Sequence, residues 1–128
     1  MESQGKVAIV TGGGGEIGSA ICRKLSNENY NVIITYNNNL DKANKVLKSL
    51  TSGDHMVFHA PNTDPVKVKA LKVLIQEKYG KLDVLVNNAG ITTPIKHEDL
   101  ESLTDDWIDK IMATNFRGSF AMVREFKS

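Results

Sequence analysis

Short apolar runs alternate with amphipathic stretches along the whole chain. Lys6–Thr11 (KVAIVT) is a continuous apolar run ending in glycines, as a strand buried on both faces would read. From Ile17 the period changes: Ile17, Ala20, Ile21 and Leu25 fall at helical spacing, and Asn27–Asn29 close the segment. Asn31–Tyr36 (NVIITY) predicts a second strand, and the stripe Ala43, Val46, Leu47 and Leu50 a second helix stopped by Ser52-Gly53. His55–His59 (HMVFH) predicts the third strand. Asp64-Pro65 then opens a helix as cap and first residue, with the expected stripe Val66, Ala70, Val73 and Leu74 and with Gly80 just past its end. Leu82–Asn87 predicts the fourth strand. After a loop of roughly fifteen residues, a length at which loops tend to be functional, Thr104 caps a long helix bearing Trp107, Ile108, Ile111, Asn115, Phe116, Phe120 and Val123. Asp105 and Asp106 suit the positive end of its dipole, and Trp107 is expected to anchor it in the core. Strands alternating with helices predict a parallel sheet covered on both faces, in one domain spanning residues 1–128.

Composition narrows the class. An apolar content of 41% supports a core, and 24% charged residues argue against gross disorder. Sixteen basic and fifteen acidic residues leave a net charge of +1, which gives no footprint for nucleic acid. Cys22 is the single cysteine, so no internal disulfide forms and a reducing, cytoplasmic location is expected. MESQGKVAIVTG has no basic region followed by a long apolar run, so neither signal peptide nor membrane partner is expected.

The candidate chemistry begins at TGGGGEIG, Thr11–Gly18. Gly13, Gly15 and Gly18 satisfy G-x-G-x-x-G between a predicted strand and a predicted helix. Glycines there allow a tight turn, close approach to a pyrophosphate and close helix packing, and helix amides can hold the phosphates. Four glycines in a row match several patterns, and a plain flexible turn satisfies the same letters.

A second register is supported elsewhere in the chain. TGGGGEIG resembles the Thr-Gly-x-x-x-Gly-x-Gly loop of the short-chain dehydrogenase/reductase family, and NNAG at Asn87–Gly90 matches that family's next motif. Thr104–Phe120 (TDDWIDKIMATNFRGSF) is similar to the family helix that carries the asparagine of the catalytic tetrad. The resemblance covers essentially the whole chain. It implies a Rossmann-like doubly wound sheet of about four strands, in the order 3-2-1-4, with four helices. It also implies a nicotinamide cofactor held by Thr11, Gly12, Gly13, Gly14, Gly15, Ile17 and Gly18, with Asn115 as the catalytic residue. Asn87 would steady the sheet, while Ala89 and Gly90 approach the cofactor ribose. VNNAGIT is similar to the segment in 3-oxoacyl-carrier-protein and acetoacetyl-CoA reductases, implying a carbonyl or acyl-thioester substrate.

Three departures matter. Glu16 replaces the family's middle glycine. An acid suits a helix N-terminus, yet it competes with pyrophosphate for the same amides, a repulsion of about 4 kcal/mol at 4 Å and an effective dielectric of 20 before solvent exposure reduces it. The second strand closes Thr35-Tyr36-Asn37 without the acid that accepts from a free ribose 2′-hydroxyl. NADP is therefore favoured over NAD, with Tyr36 and Asn37 as donors to a 2′-phosphate, although no arginine stands ready and a polar turn explains the asparagines equally well. After the third strand, Pro61-Asn62 stands where the family commonly has Asp-Val. Pro61 offers neither carboxylate nor N–H, and Asn62 is left to meet adenine through its amide.

No Tyr-x-x-x-Lys occurs among the 128 residues, so the chain reads as the cofactor-binding half of a reductase ending within its fourth helix, inactive alone. Leu82–Val86 would then be an apolar open edge, and with the long helix it predicts self-association. The rival reading is a non-catalytic nucleotide-binding or interaction module. A phosphoacceptor domain lacks its paired acids after the first strand. No metal site is expected, because His55 and His59 are four apart in a strand and His97 is isolated. Cys22 reads as packing.

Overall fold

The computed structural model describes residues 5–90 and 99–127. Four parallel strands form one sheet in the order β3-β2-β1-β4: β1 (Val7–Val10), β2 (Asn31–Tyr36), β3 (Met56–His59) and β4 (Val84–Val86). Val10 lies opposite Ile34 on β2 and Val86 on β4, and Tyr36 lies opposite His59, so the carboxyl ends of the strands gather at one rim. The predicted order holds. β2 has its expected bounds, whereas β1, β3 and β4 are shorter than the runs that predict them.

Side-chain alternation along the strands builds two cores. On one face Val7, Ile9 and Ile33 pack with Val68, Leu71 and Ile75 of α3 (Pro65–Lys78) and with Met122. On the other, Val10, Val32 and Ile34 pack with Cys22 of α1 (Glu16–Asn27) and with Ala43 and Val46 of α2 (Leu40–Ser49). Val7–Val10 are wholly buried, as central parallel strands require.

The helix starts follow local chemistry. Asn39 caps α2 by accepting from the Lys42 amide, and Asp64 caps α3 by accepting from Val66 and Lys67, with Pro65 in the first helical position. Thr104 accepts from the Trp107 amide at the start of α4 (Asp105–Met112). A π-helical stretch, Ala113–Gly118, continues α4 into α5 (Ser119–Phe126), and together they make the long fourth helix. A short 3₁₀ turn, Leu100–Ser102, precedes it. The expected long loop falls mostly outside the described residues, as does His97.

Three expected stripes are corrected. In α1, Ile17 is 71% exposed and Ala20 is exposed, whereas Gly18, Ser19, Cys22 and Ser26 face inward. Ile21 and Leu25 of the expected stripe do pack against the core, but the buried residues of this helix are the small ones. In α3, Val66 is 74% exposed, with Ala70 and Val73 also outward, and Val68, Leu71 and Ile75 take the core positions. Apolar residues all round α3 allow more than one stripe. Trp107 is not a core anchor: it is 37% exposed, with the Lys110 ammonium 5.3 Å from its ring centroid. Ile108, Met112, Phe116, Phe120 and Val123 also face outward along the fourth helix.

A candidate dinucleotide site at the carboxyl rim

The first βα turn is built for close approach. Gly12 has a φ of +65°, a left-handed conformation that costs glycine nothing. A side-chain carbon at Gly13 would meet Ile34 at 2.8 Å and Cys22 at 3.0 Å, so this glycine lets α1 settle on the sheet. At Gly18 the same carbon would lie 2.5 Å from the Gly12 carbonyl and 2.7 Å from the Asn88 amide nitrogen. Gly14 backs onto α2, where a carbon would stand 3.1 Å from the Ala43 nitrogen. In this turn only at Gly15, at the N-terminus of α1, would a side-chain carbon find ordinary contact, with the Gly12 carbonyl oxygen at 3.6 Å.

A network centred on Thr11 joins this turn to the loop after β4. Its backbone amide donates to the Val86 carbonyl at 3.0 Å and its hydroxyl to the same carbonyl at 3.3 Å. The hydroxyl accepts from the amides of Asn88 at 3.0 Å and Ala89 at 2.9 Å. The Asn88 side-chain amide in turn donates to the Gly12 carbonyl at 3.1 Å. The two loops are thereby held as one rim over the ends of β1 and β4.

Between them opens a cavity of about 490 Å³, within the size of small-molecule and cofactor sites. The glycine turn contributes Gly12, Gly15, Glu16, Ile17 and Gly18. The end of β2 contributes Thr35–Asn38, the segment after β3 contributes Ala60–Thr63, and the loop after β4 contributes Asn88, Ala89 and Gly90. Thr114 of the fourth helix completes the wall. A smaller lobe of about 120 Å³ shares Gly12, Gly15 and Thr35–Asn38, and adds Gly14, Asn39 and Lys42.

The cavity thus unites nine of the residues singled out in the sequence: Gly12, Gly15, Ile17, Gly18, Tyr36, Asn37, Asn62, Ala89 and Gly90. Gly14 joins through the smaller lobe. Thr11 and Gly13 lie buried behind the rim, and Asn87 faces away, donating to the Ser119 carbonyl at 3.4 Å. Asn115 stands at the middle of the π-helical stretch. Its Oδ1 is 3.2 Å from where a side-chain carbon on Gly90 would be, so Gly90 makes room for it beside the cavity.

Asn62 has a second attachment. Its buried side chain donates to the Thr114 carbonyl at 3.0 Å and crosses Gly118, where any side-chain carbon would collide with the Asn62 amide. At the other end of the segment, the Tyr36 and His59 rings pair at 5.3 Å, and His59 Nε2 is 2.9 Å from the Asn37 carbonyl oxygen. Sequence reasoning passed over Asn88 and Lys42. Asn88 stands within NNAG, where the expected roles fall on its neighbours, and Lys42 lies beyond the end of β2 in the first turn of α2.

Among the described residues three titratable groups are shifted. Burial raises the pKa of Tyr79, whose hydroxyl donates to the Asp54 carbonyl at 2.7 Å. Burial pushes the Cys22 thiol up to about 12, which keeps it protonated and unreactive. The Val7 amide, donating at 2.7 Å, holds the Asp83 carboxylate below its ordinary range, with Lys81 assisting at 3.2 Å. Among the described residues no group of three His, Cys, Asp or Glu is placed to hold a metal ion, and no helix is long and apolar enough to cross a membrane.

The likeness to known proteins extends along the same elements. The short chain dehydrogenase family profile matches residues 6–128. The chain is 34% identical over 123 residues to elsinochrome reductase 1 of Elsinoe fawcettii, an alignment covering 94% of this chain and 45% of that protein. It is also 34% identical over 122 residues to the 3-oxoacyl-[acyl-carrier-protein] reductase FabG of Staphylococcus aureus strain Mu50, covering 94% of this chain and 48% of the relative. A short chain dehydrogenase of Burkholderia cenocepacia, solved in complex with NADP, superposes with a TM-score of 0.86 at 33% identity, over 99% of this chain and 51% of that one. The chain spans about half the length of these relatives. Sequence motifs, sheet order and overall likeness converge: this chain belongs to the short-chain dehydrogenase family.

Proposed function

We propose that this chain is the cofactor-binding half of an NADP-linked carbonyl reductase. The observation that carries the reading is the glycine turn at the rim, where side-chain carbons at Gly13, Gly14 and Gly18 would fill space now taken by close packing. That leaves the backbone of the glycine turn facing the cavity, with Glu16 and Ile17 beside it at the start of α1, and a turn of that kind suits a pyrophosphate. The residues present fit a dinucleotide in kind. Gly12, Gly14, Gly15, Ile17 and Gly18 would hold the pyrophosphate, with Thr11 and Gly13 supporting them from behind. Tyr36 and Asn37 would take the adenosine ribose, the Asn62 backbone amide the adenine, and Ala89 and Gly90 the second ribose, while Asn87 steadies the sheet. A bound nicotinamide would supply the hydride that reduces a carbonyl or acyl-thioester carbon. Asn115, beside Gly90, would order a water near the reacting end.

The names of the reductase relatives and the NADP complex of a structural neighbour favour this direction of chemistry and this cofactor. The direct test is titration of NADPH and NADH, following nicotinamide fluorescence. Tighter NADPH binding supports the reading, and tighter NADH binding reverses the cofactor preference. With no Tyr-x-x-x-Lys in its sequence, the chain alone is expected not to oxidise NADPH with a ketoacyl thioester; turnover would contradict that.

A second reading is a non-catalytic nucleotide-binding or interaction module, favoured by Glu16, which brings a carboxylate into the lining of the same cavity. Binding without turnover, combined with a natural stop codon after Ser128, would select it. Under either reading the outward apolar side chains of the fourth helix and the open edge of β4 support self-association, and a monodisperse monomer in sedimentation would refute it.

A further inference from the structure

We propose that Lys42, in the first turn of α2, is the residue that selects a 2′-phosphorylated cofactor. The inference rests on the cofactor reading above and adds a residue and a charge to it. In a doubly wound sheet the ribose of the adenosine half meets the end of the second strand, where an acid accepts from a free 2′-hydroxyl. Here that end is Thr35 to Asn39 without an acid, and beyond it lies the smaller lobe of the cavity, with Lys42 the single charged residue in its lining. Asp41, next to it, does not line that lobe.

The lysine is held against the phosphate cradle by its backbone. A side-chain carbon at Gly14 would lie 3.1 Å from the Ala43 nitrogen and 3.3 Å from the Lys42 carbonyl carbon, so the glycine turn and the start of α2 are in contact. Asn39 fixes the same turn by accepting from the Lys42 amide at 3.0 Å. The ammonium enters none of the ion pairs among the described residues, which join Lys24 to Glu28, Lys78 to Asp54 and Lys81 to Asp83. A phosphate monoester carries between one and two negative charges near neutral pH. The lobe offers it one cation with mobile donors, amid neutral amides and a tyrosine.

The test is titration of NADPH and NADH into the parent chain, Lys42→Gln and Lys42→Glu. Lys42 is exposed and glutamine is a comparable helix former, so the fold is retained. The Gln variant is expected to bind NADPH about tenfold more weakly and the Glu variant weaker still, with NADH within about twofold of the parent in both. Raising the salt should narrow the gap between parent and variant for NADPH, because the pair is solvent-exposed. Unchanged NADPH affinity in both variants, or an equal loss for NADPH and NADH, overturns the role of Lys42 while leaving the cofactor reading intact. Failure of the parent to bind either nucleotide overturns both.

Discussion

The corner formed by β1, the glycine turn and β2 differs sharply from the fourth helix, although both read as apolar in the sequence. In the corner, Val7–Val10 and Val32–Ile34 are wholly buried, and a side-chain carbon at any glycine but Gly15 would be crowded. On the fourth helix, Phe116 is 69% exposed and Phe120 59%, while only Met122 and Gly118 are buried among its described residues. Apolar side chains on a strand flanked by two others are covered whichever way they point. On a helix lying over one face of the sheet, only one stripe is covered, and the rest waits on further contacts. The corner is covered within the described residues, and the outward face of the helix is the surface on which the proposed self-association rests.

That contrast can be broken most forcefully at the core. Ile33→Ala removes a side chain from the middle of β2 and should cost about 2–5 kcal/mol in urea unfolding. Phe116→Ser should leave the unfolding free energy of the dissociated chain within about 0.5 kcal/mol, yet weaken self-association measured by sedimentation. Equal losses from the two substitutions would erase the distinction.

The rim gives the next effect. Gly18→Val places carbon against the Gly12 carbonyl and the Asn88 amide, with an expected loss of about 1–3 kcal/mol and of NADPH binding. Gly15→Ala, where the space is open, should change stability by less than about 1 kcal/mol. If both glycines tolerate substitution alike, the cradle is not close-packed.

Glu16→Gly sharpens the same corner electrostatically. Glu16 is exposed, so the repulsion is largely screened, and removing it should tighten NADPH and NADH together by up to about tenfold, or about 1.4 kcal/mol. Equal affinities before and after would remove the carboxylate from consideration. A common gain also separates this effect from that of Lys42, which touches only the phosphorylated cofactor.

The smallest effect concerns the open edge. Asp83 accepts from the Val7 amide while its own amide donates to the Val7 carbonyl at 2.9 Å, fastening β4 to β1. Its folded pKa is lowered, so the stabilisation is present above the unfolded value near 3.9 and is lost as pH falls through the folded one. Asp83→Asn should lower Tm by a few degrees, roughly, at neutral pH, and the difference should vanish in acid. A difference that does not shrink as pH falls through the titration of the folded carboxyl would assign it to packing.

Much of this was legible because local chemistry decides it. The four strands announce themselves as apolar runs, and Asp64 and Thr104 mark helix starts by their own side chains. The face of α3 was not legible from apolarity, and that of α1 only in part, through Ile21 and Leu25. Glycine, serine and cysteine line the inner face of α1, where the approach to the sheet is close, and valines surround α3 on several sides. The lining of the candidate cavity was readable in Gly12, Gly15 and Gly18 and in Ala89-Gly90. Lys42 was not, because what brings it to the cavity is the packing of Gly14 on α2 and not any spacing in the chain.

The Thr11 hydroxyl has a consequence for how the site keeps its shape. A hydroxyl oxygen offers one proton and two lone pairs, and here the proton goes to Val86 and the lone pairs to the amides of Asn88 and Ala89. Its valence is full, so a ligand has no claim left on it. Its contribution to recognition is metric: one atom sets the separation of two loops more than seventy residues apart, as a gauge block sets the opening of a vice. Replacement by valine, of nearly the same shape, would keep the volume and lose the measure.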